Sequence, residues 1–202
     1  ANPEIELESA QRTHFLALMA EQSERMQRLI EDLLTLSALE SAARPSTESI
    51  IEMPSLIQQV MPTIQALSDG KHQFICEVDA FTLKGNAQEI ISVISNLASN
   101  AVRYTPAGGT IRVTWTQRDE HAVLSVTDSG IGIEAQHLSR LTERFYRVDT
   151  SRSRESGGTG LGLAIVKHVL TRHQAKLEIL STPGQGSTFS AVFPAQRVQA
   201  LH

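Results

Sequence analysis

Phe15, Met19, Gln22, Met26, Leu29, Leu33 and Leu36 follow one another in alternating steps of four and three. Six of these seven are apolar, which is the 3.5-residue spacing of a helix packed lengthwise on another helix. Ile30 and Leu34 widen the stripe, as a bundle helix requires. A helix of ~30 residues is ~45 Å long, too long to fold back along its whole length onto a small domain. The first part of the chain is therefore expected to be one long dimerising bundle helix rather than a core helix of a larger domain. Ser41-Ala-Ala-Arg-Pro45-Ser-Thr reads as a short linker after it. The expected division is residues 1–45, helix and linker, then a second domain over 46–202.

Beyond the linker the period changes. Ser55–Leu67 reads as a helix, and Gln73–Val78 and Phe81–Lys84 as short strands. Asn86–Tyr104 is a strong helix, with Ile90, Ile94, Leu97 and Ala101 spaced by four, three and four, and Thr105-Pro-Ala-Gly-Gly109 ends it. Ile111, Val113 and Trp115 alternate with Thr110, Arg112 and Thr114, giving a strand with one buried face, and Ala122–Thr127 follows as a second strand. A helix near Gln136–Arg144, a basic loop and a helix at about Leu161–Arg172 come next. Leu177–Leu180 and Thr188–Phe193 close the chain as a hairpin around Pro183-Gly-Gln-Gly186. Mixed helices and hairpins with much antiparallel pairing make the class α+β.

Composition narrows the function. Of 202 residues, 41% are hydrophobic and 20% charged, enough apolar content for a core and too little charge for an acidic disordered tail. No run approaches the ~18 apolar residues of a membrane span, and Ala1-Asn2-Pro3-Glu4 lacks the start of a signal peptide. A net charge of -4 argues against a nucleic-acid surface. Cys76, the single cysteine, fits a reducing compartment and is expected to be a buried strand residue without a redox task. These features describe a soluble intracellular domain.

Four segments exceed what folding alone asks for. On the Asn86–Tyr104 helix, Asn96, Asn100 and Arg103 share the face opposite the apolar stripe, with Tyr104 beside them. A solvated polar face would account for any one Asn. Together they read better as a ligand-facing wall, because an amide oxygen is a hard ligand for Mg²⁺ and Arg103 suits phosphate. Asp128 continues the Ala122, Leu124, Val126 row by period two, where an ionised group is expensive without a partner. Gly130 and Gly132 after it allow a flat ligand close to the backbone. The Gly130-x-Gly132-x-x-Ala135 match to a dinucleotide fingerprint is rejected, since the βαβ unit that should follow is missing. Gly157-Gly158-Thr-Gly160-Leu-Gly162 runs into an apolar helix whose N-terminus offers amides to an anion. The preceding Arg147–Ser156 loop, basic and polar, reads as a lid. Gly184-Gln-Gly186-Ser187-Thr188-Phe189 is by itself only a hairpin turn.

In this order the segments are specific. Asn96-Leu-x-x-Asn100-Ala-x-x-Tyr104-Thr, Asp128-Ser-Gly-x-Gly132, Glu143-Arg-Phe-Tyr-Arg147, Gly158-Thr-Gly-Leu-Gly-Leu163 and Gly186-Ser-Thr-Phe189 resemble the N, G1, F, G2 and G3 boxes of the sensor histidine kinase catalytic domain. The resemblance spans roughly residues 46–195, and Leu141–Asp149 is most similar to the phosphate-regulon members of that family. It implies a Bergerat ATP-binding fold, a mixed and largely antiparallel sheet with three helices on one face. Ser23–Glu40, with Arg25-Met26 and Leu33-Leu-Thr-Leu-Ser37, resembles the second helix of the dimerisation and phosphotransfer hairpin.

The resemblance assigns roles residue by residue. Asn100 is implied as Mg²⁺ ligand with Asn96 beside it, Arg103 as phosphate contact and Tyr104 as ribose or adenine contact. Asp128 would accept from the adenine amino group, Gly132 would give the base room with Gly130 also at the cofactor site, and Thr188 would help through water. Arg147, Gly158, Thr159, Gly160 and Gly162 would face the phosphates, with Leu161 and Leu163 seating the lid helix. The implied ligands and partners are ATP or ADP, Mg²⁺, a phospho-acceptor histidine helix, a response-regulator receiver domain and a second subunit, without nucleic acid. The family's setting places such a chain on the cytoplasmic side of a protein anchored in the inner membrane.

One departure matters. The family's acceptor His is followed by Glu, and none of the seven histidines here (14, 72, 121, 137, 168, 173, 202) is. The expectation is a fragment that binds Mg-ATP and does not autophosphorylate alone. Two rivals differ in class. An ATPase or serine kinase of the same fold carries a Glu base where Asn96 stands, and an amide cannot accept that proton; Glu89 and Glu143 remain as less well placed bases. A non-catalytic dimerisation module would show degenerate boxes, and every box here is filled.

Overall fold

The computed structural model describes residues 9–41, 47–148 and 158–200. Helix α1 (Ser9–Ser41) carries the heptad-like spacing, but Phe15, Met19, Met26 and Leu33 along it are exposed. Only its C-terminal part is covered, through buried Leu36 and Leu39. The centre of the expected linker, residues 42–46, lies outside the described residues.

Strand β1 (Ser49–Glu52) leads directly into α2 (Met53–Ser68). Pro54 stands in the first turn of α2, where a missing N–H costs no helical bond. Asp69 ends that helix in the left-handed region (φ 52°), and β2 (Gln73–Val78) and β3 (Phe81–Gly85) follow. The Asn86 side chain then caps α3 (Ala87–Tyr104) by accepting from the Glu89 N–H at 3.0 Å. The 3.6-residue stripe of α3 buries Ile90, Val93, Ile94, Leu97, Ala98 and Ala101, as its spacing requires. Strands β4 (Thr110–Arg118) and β5 (His121–Asp128) form a hairpin, succeeded by a short helix α4 (Ala135–Leu138). Helix α5 (Gly162–Arg172), the hairpin β6 (Lys176–Thr182) and β7 (Gly186–Phe193), and β8 (Val198–Ala200) complete the chain.

The main sheet has the order β2-β4-β5-β7-β6, with β2 parallel to β4 and the other pairs antiparallel. Its inner face, built from Ile111, Val113 and Trp115, Leu124 and Val126, Phe189 and Phe193, is covered by helices. Helix α3 lies between α2 and α5 and packs on β4 and β5. Trp115 is fully buried, stacks on Phe81 at 4.6 Å between centroids, and donates its Nε1 proton to the Phe81 carbonyl at 3.3 Å. A second sheet of order β1-β3-β8 closes one end. This is the α+β layering expected from the sequence.

Three local expectations change. The helix expected over Gln136–Arg144 stops at Leu138; beyond it successive i to i+3 turns run to Tyr146, because Leu141 points inward and Arg140 stacks on the Tyr146 ring at 4.3 Å. Cys76 is exposed rather than buried. It pairs with the inward-facing Val113, but on the outermost strand of the sheet, whose inner face is only partly covered, as half-buried Phe74 and Val78 on either side of it show. Strands β1 and β8, too short to show a period, were not anticipated.

Candidate nucleotide site

The end of β5 fixes the first element. Asp128 completes the buried row Ala122, Leu124, Val126 and is only 7% exposed. Burial pushes its carboxyl pKa up, opposed by the Gly130 and Ser187 N–H groups that donate to it; the Gly130 bond measures 2.8 Å. The loop after it is held on both sides. Ser129 and Thr110 exchange two bonds (3.0 and 2.8 Å), Ile131 N–H donates to the Tyr104 carbonyl at 3.2 Å, and Gly184 N–H donates to the Ile131 carbonyl at 2.8 Å. Asp128 is thereby locked in register with the C-terminal turn of α3.

Gly130 and Gly132 are explained by the protein's own backbone rather than by room for a base. A side chain at Gly130 would strike the Tyr104 carbonyl. Gly132 has φ +67° and lies against the Thr182 carbonyl, so a Cβ there is excluded twice over.

Helix α3 supplies the second wall. Asn96, Asn100 and Arg103 are half-buried on its face away from the core, and Tyr104 is exposed at its end. The Asn96 amide donates to the Ser92 carbonyl at 2.8 Å, leaving its oxygen beside Gly162. Asn100 makes no side-chain hydrogen bond to another described residue, so its amide oxygen is open to a hard cation. Arg103 hydrogen-bonds Tyr104 and lies against Gly158, its Nη1 2.7 Å from where a Cβ would be. Burial first, then the charges of Arg28 and Arg147, push its guanidinium pKa below the usual value. Arg147 is half-buried in the turn that follows Tyr146.

The glycine run is the third. Gly158 is buried and Thr159 and Gly160 are half-buried. Thr159 accepts from the Leu161 N–H at 3.2 Å at the start of α5 and donates to Asp32 of α1 at 2.6 Å. Gly160, at φ +75°, passes over Phe145 and accepts from its N–H at 2.9 Å. Leu161 is fully buried and Leu163 half-buried, anchoring the segment. A Cβ at Gly162 would come within 2.5 Å of the Asn96 oxygen, so a side chain there would displace the Asn96 amide. Residues 149–157, most of the expected lid including Gly157, lie outside the described residues.

Thr188 is not brought into this group. It pairs with Thr127, its hydroxyl 3.0 Å from that of Thr127, and both face the side of the sheet away from Asp128. Ser187 pairs with Asp128 instead, is 6% exposed, and shares a 2.9 Å hydrogen bond with Ser181. Ser187 is the residue beside Asp128 that sequence reasoning missed, and strand parity with Asp128 was the signal that could have found it. The spare bases are engaged elsewhere. Glu89 lies in the first turn of α3, far from Asn100, and takes Arg172 at 2.9 Å, while Glu143 pairs with Arg140 at 3.2 Å.

A buried acid at a strand end, an amide-and-arginine wall and a glycine run before a helix match a family described as histidine kinase-, DNA gyrase B- and HSP90-like ATPases, over residues 85–197. The chain belongs to that family, and its fold is an ATP-binding one. The phosphate regulon sensor protein PhoR of Pseudomonas aeruginosa is 50% identical over 188 residues, 92% of this chain and 42% of the relative. The sensor-like histidine kinase SenX3 of Mycolicibacterium smegmatis is 36% identical over 183 residues, 89% of this chain and 47% of the relative. Among solved structures, full-length ShkA in complex with AMPPNP is similar with a TM-score of 0.79 at 25% identity, covering 97% of this chain and 40% of that one. The mycobacterial sensor histidine kinase MprB superposes with a TM-score of 0.67 at 26% identity, over 77% of this chain and 100% of that one. The chain thus spans less than half the length of the curated relatives it matches. No described helix is long and apolar enough to cross a membrane.

Proposed function

We propose that the chain is the catalytic region of a two-component sensor histidine kinase of the phosphate-regulon type, with part of its dimerisation hairpin over residues 1–45 and the catalytic domain over 46–202. It presents the ATP γ-phosphoryl group to a histidine of the intact kinase, which dimerises, for relay to a response-regulator aspartate. The observation that carries this is Asp128: a carboxylate 7% exposed, held by backbone donors in an otherwise apolar row. Such a group suits the exocyclic amine of adenine. Ser187, beside it on the same face, is placed to share that edge through water.

The rest of the site serves the phosphates. Asn100, unpartnered among the described residues, would hold Mg²⁺, with Asn96 beside it. The ion would neutralise charge on the transferred group. Arg103 and Arg147 would take phosphate oxygens, and the amides from Gly158 to Gly162 would face them. The chain positions and neutralises, while the nucleophile, a neutral imidazole, arrives from outside and needs no strong base. This agrees with Asn96 standing where the hydrolysing relatives carry a glutamate, and with both spare glutamates being paired.

Titration calorimetry with a non-hydrolysable ATP analogue and Mg²⁺ tests the reading. One saturable site is expected, lost in Asp128→Ala, with its Mg²⁺ dependence lost in Asn100→Ala. No heat with the analogue at about 1 mM, the weak end of the affinity scale, overturns it.

A further inference from the structure

We propose that α1 completes the phosphate end of the nucleotide site, with Arg28 as a phosphate-binding residue supplied from outside the catalytic domain's own nucleotide-facing segments. The inference rests on the nucleotide reading above and adds a residue to it.

The geometry starts at Thr159. Its hydroxyl donates to Asp32 at 2.6 Å, which seats α1 directly on the glycine run. Buried Leu36 and Leu39, one and two turns further on, hold α1 against the domain, as does the ion pair of Glu40 with Arg144. Arg28 precedes Asp32 by four residues, so it stands one turn back on the same face of the helix. Gly158, adjacent to Thr159, is the residue on which the Arg103 guanidinium rests. Arg28 thus stands one helical turn from the Asp32–Thr159 contact, and its charge reaches Arg103 on the other side of that segment.

No carboxylate of a described residue pairs with Arg28 or Arg103. Among the described residues Arg28 makes one hydrogen bond, from Nε to the Glu24 carbonyl of its own helix at 3.3 Å. Two like charges flanking one segment repel, and that cost is repaid by an anion placed between them. A triphosphate tail, carrying several negative charges and ending at the glycine run, is the anion this arrangement suits. The adenosine end, at Asp128, lies apart from Arg28, so the effect should scale with phosphate number.

The test is calorimetry on the whole chain with the Mg²⁺-bound ATP analogue, ADP and adenosine, using wild type, Arg28→Gln and, as control, Arg12→Gln at an exposed position far along α1 from Asp32. Loss of one charge-assisted contact weakens the triphosphate by about tenfold. The expected result is that loss for Arg28→Gln, a smaller loss for ADP, none for adenosine, and no change for Arg12→Gln. Unchanged circular dichroism and melting of Arg28→Gln, an exposed position, exclude a folding effect. Triphosphate affinity within twofold of wild type, or an equal loss for adenosine, overturns the proposal while leaving the nucleotide site standing. A wild-type chain that binds none of the three overturns both.

Discussion

Arg172 on α5 donates to Glu89 on α3 at 2.9 Å, and its other terminal nitrogen holds the Leu39 carbonyl near the end of α1 at 3.0 Å. The two side chains are 8% and 15% exposed. One guanidinium thus ties three helices together beneath the site, which is why Glu89 is a structural acid and not a spare base. Removing one partner leaves the other charge buried without compensation. Glu89→Ala is expected to lower stability by about 3–5 kcal/mol, read as a shift of the urea midpoint. Glu89→Leu combined with Arg172→Met should cost less than either change alone.

Asp128 gives a prediction of opposite sign. Its carboxyl pKa is raised by burial, so the fold favours the protonated form. Stability is fully present below the unfolded value of about 3.9 and is lost as pH rises through the raised folded value. Asp128→Asn removes that loss. The variant should therefore be more stable than wild type at neutral pH, with the difference closing on acidification, while its affinity for the ATP analogue falls by at least about tenfold. Denaturation midpoints between pH 4 and 8 (about the range set by carboxylate titration) check this; a less stable variant at neutral pH contradicts it.

His173 responds to acid. It is fully buried, donates Nδ1–H to the Val169 carbonyl at 2.8 Å and accepts the Asn86 N–H on Nε2 at 3.1 Å, which requires the neutral ring. Burial lowers its pKa, outweighing the Val169 bond and the Glu89 and Glu48 carboxylates, while Arg197 adds to the lowering. Its contribution is present above the unfolded value of about 6.5 and is lost as pH falls through the depressed folded value. Proton NMR should show the His173 ring still neutral at pH 6, about half a unit below that reference, when an exposed imidazole is mostly charged.

The two hydroxyls at the start of β7 separate what sequence could and could not reveal. Thr188→Val should leave nucleotide affinity unchanged, because it loses only the Thr127 bond on the far face. Ser187→Ala should weaken it several-fold, about the worth of one hydrogen bond. Calorimetry on the pair decides the assignment.

That reversal shows where sequence was informative. Asp128 was legible because a period-two row makes an acid among Ala122, Leu124 and Val126 conspicuous. The α3 wall was legible for the same reason at period 3.6, since the apolar stripe fixes the opposite face. Thr188 was misplaced because strand parity across β5 and β7 depends on register, a non-local quantity that motif spacing does not carry. The close approaches at Gly130 and Gly132 depend on the path of Tyr104 and Thr182, distant in sequence. Of the long apolar spacing on α1, Leu36 does dock, but Phe15, Met19, Met26 and Leu33 stay exposed, and the contacts through Asp32 and Leu39, outside that spacing, were hidden.

The most direct test is a crystal structure of the chain with a non-hydrolysable ATP analogue and Mg²⁺. Adenine is predicted with its amino group on the Asp128 carboxylate, and the phosphates between Arg103 and the Gly158–Gly162 segment. Side chains filling the space beside Asp128, or nucleotide bound on another face, would contradict the account.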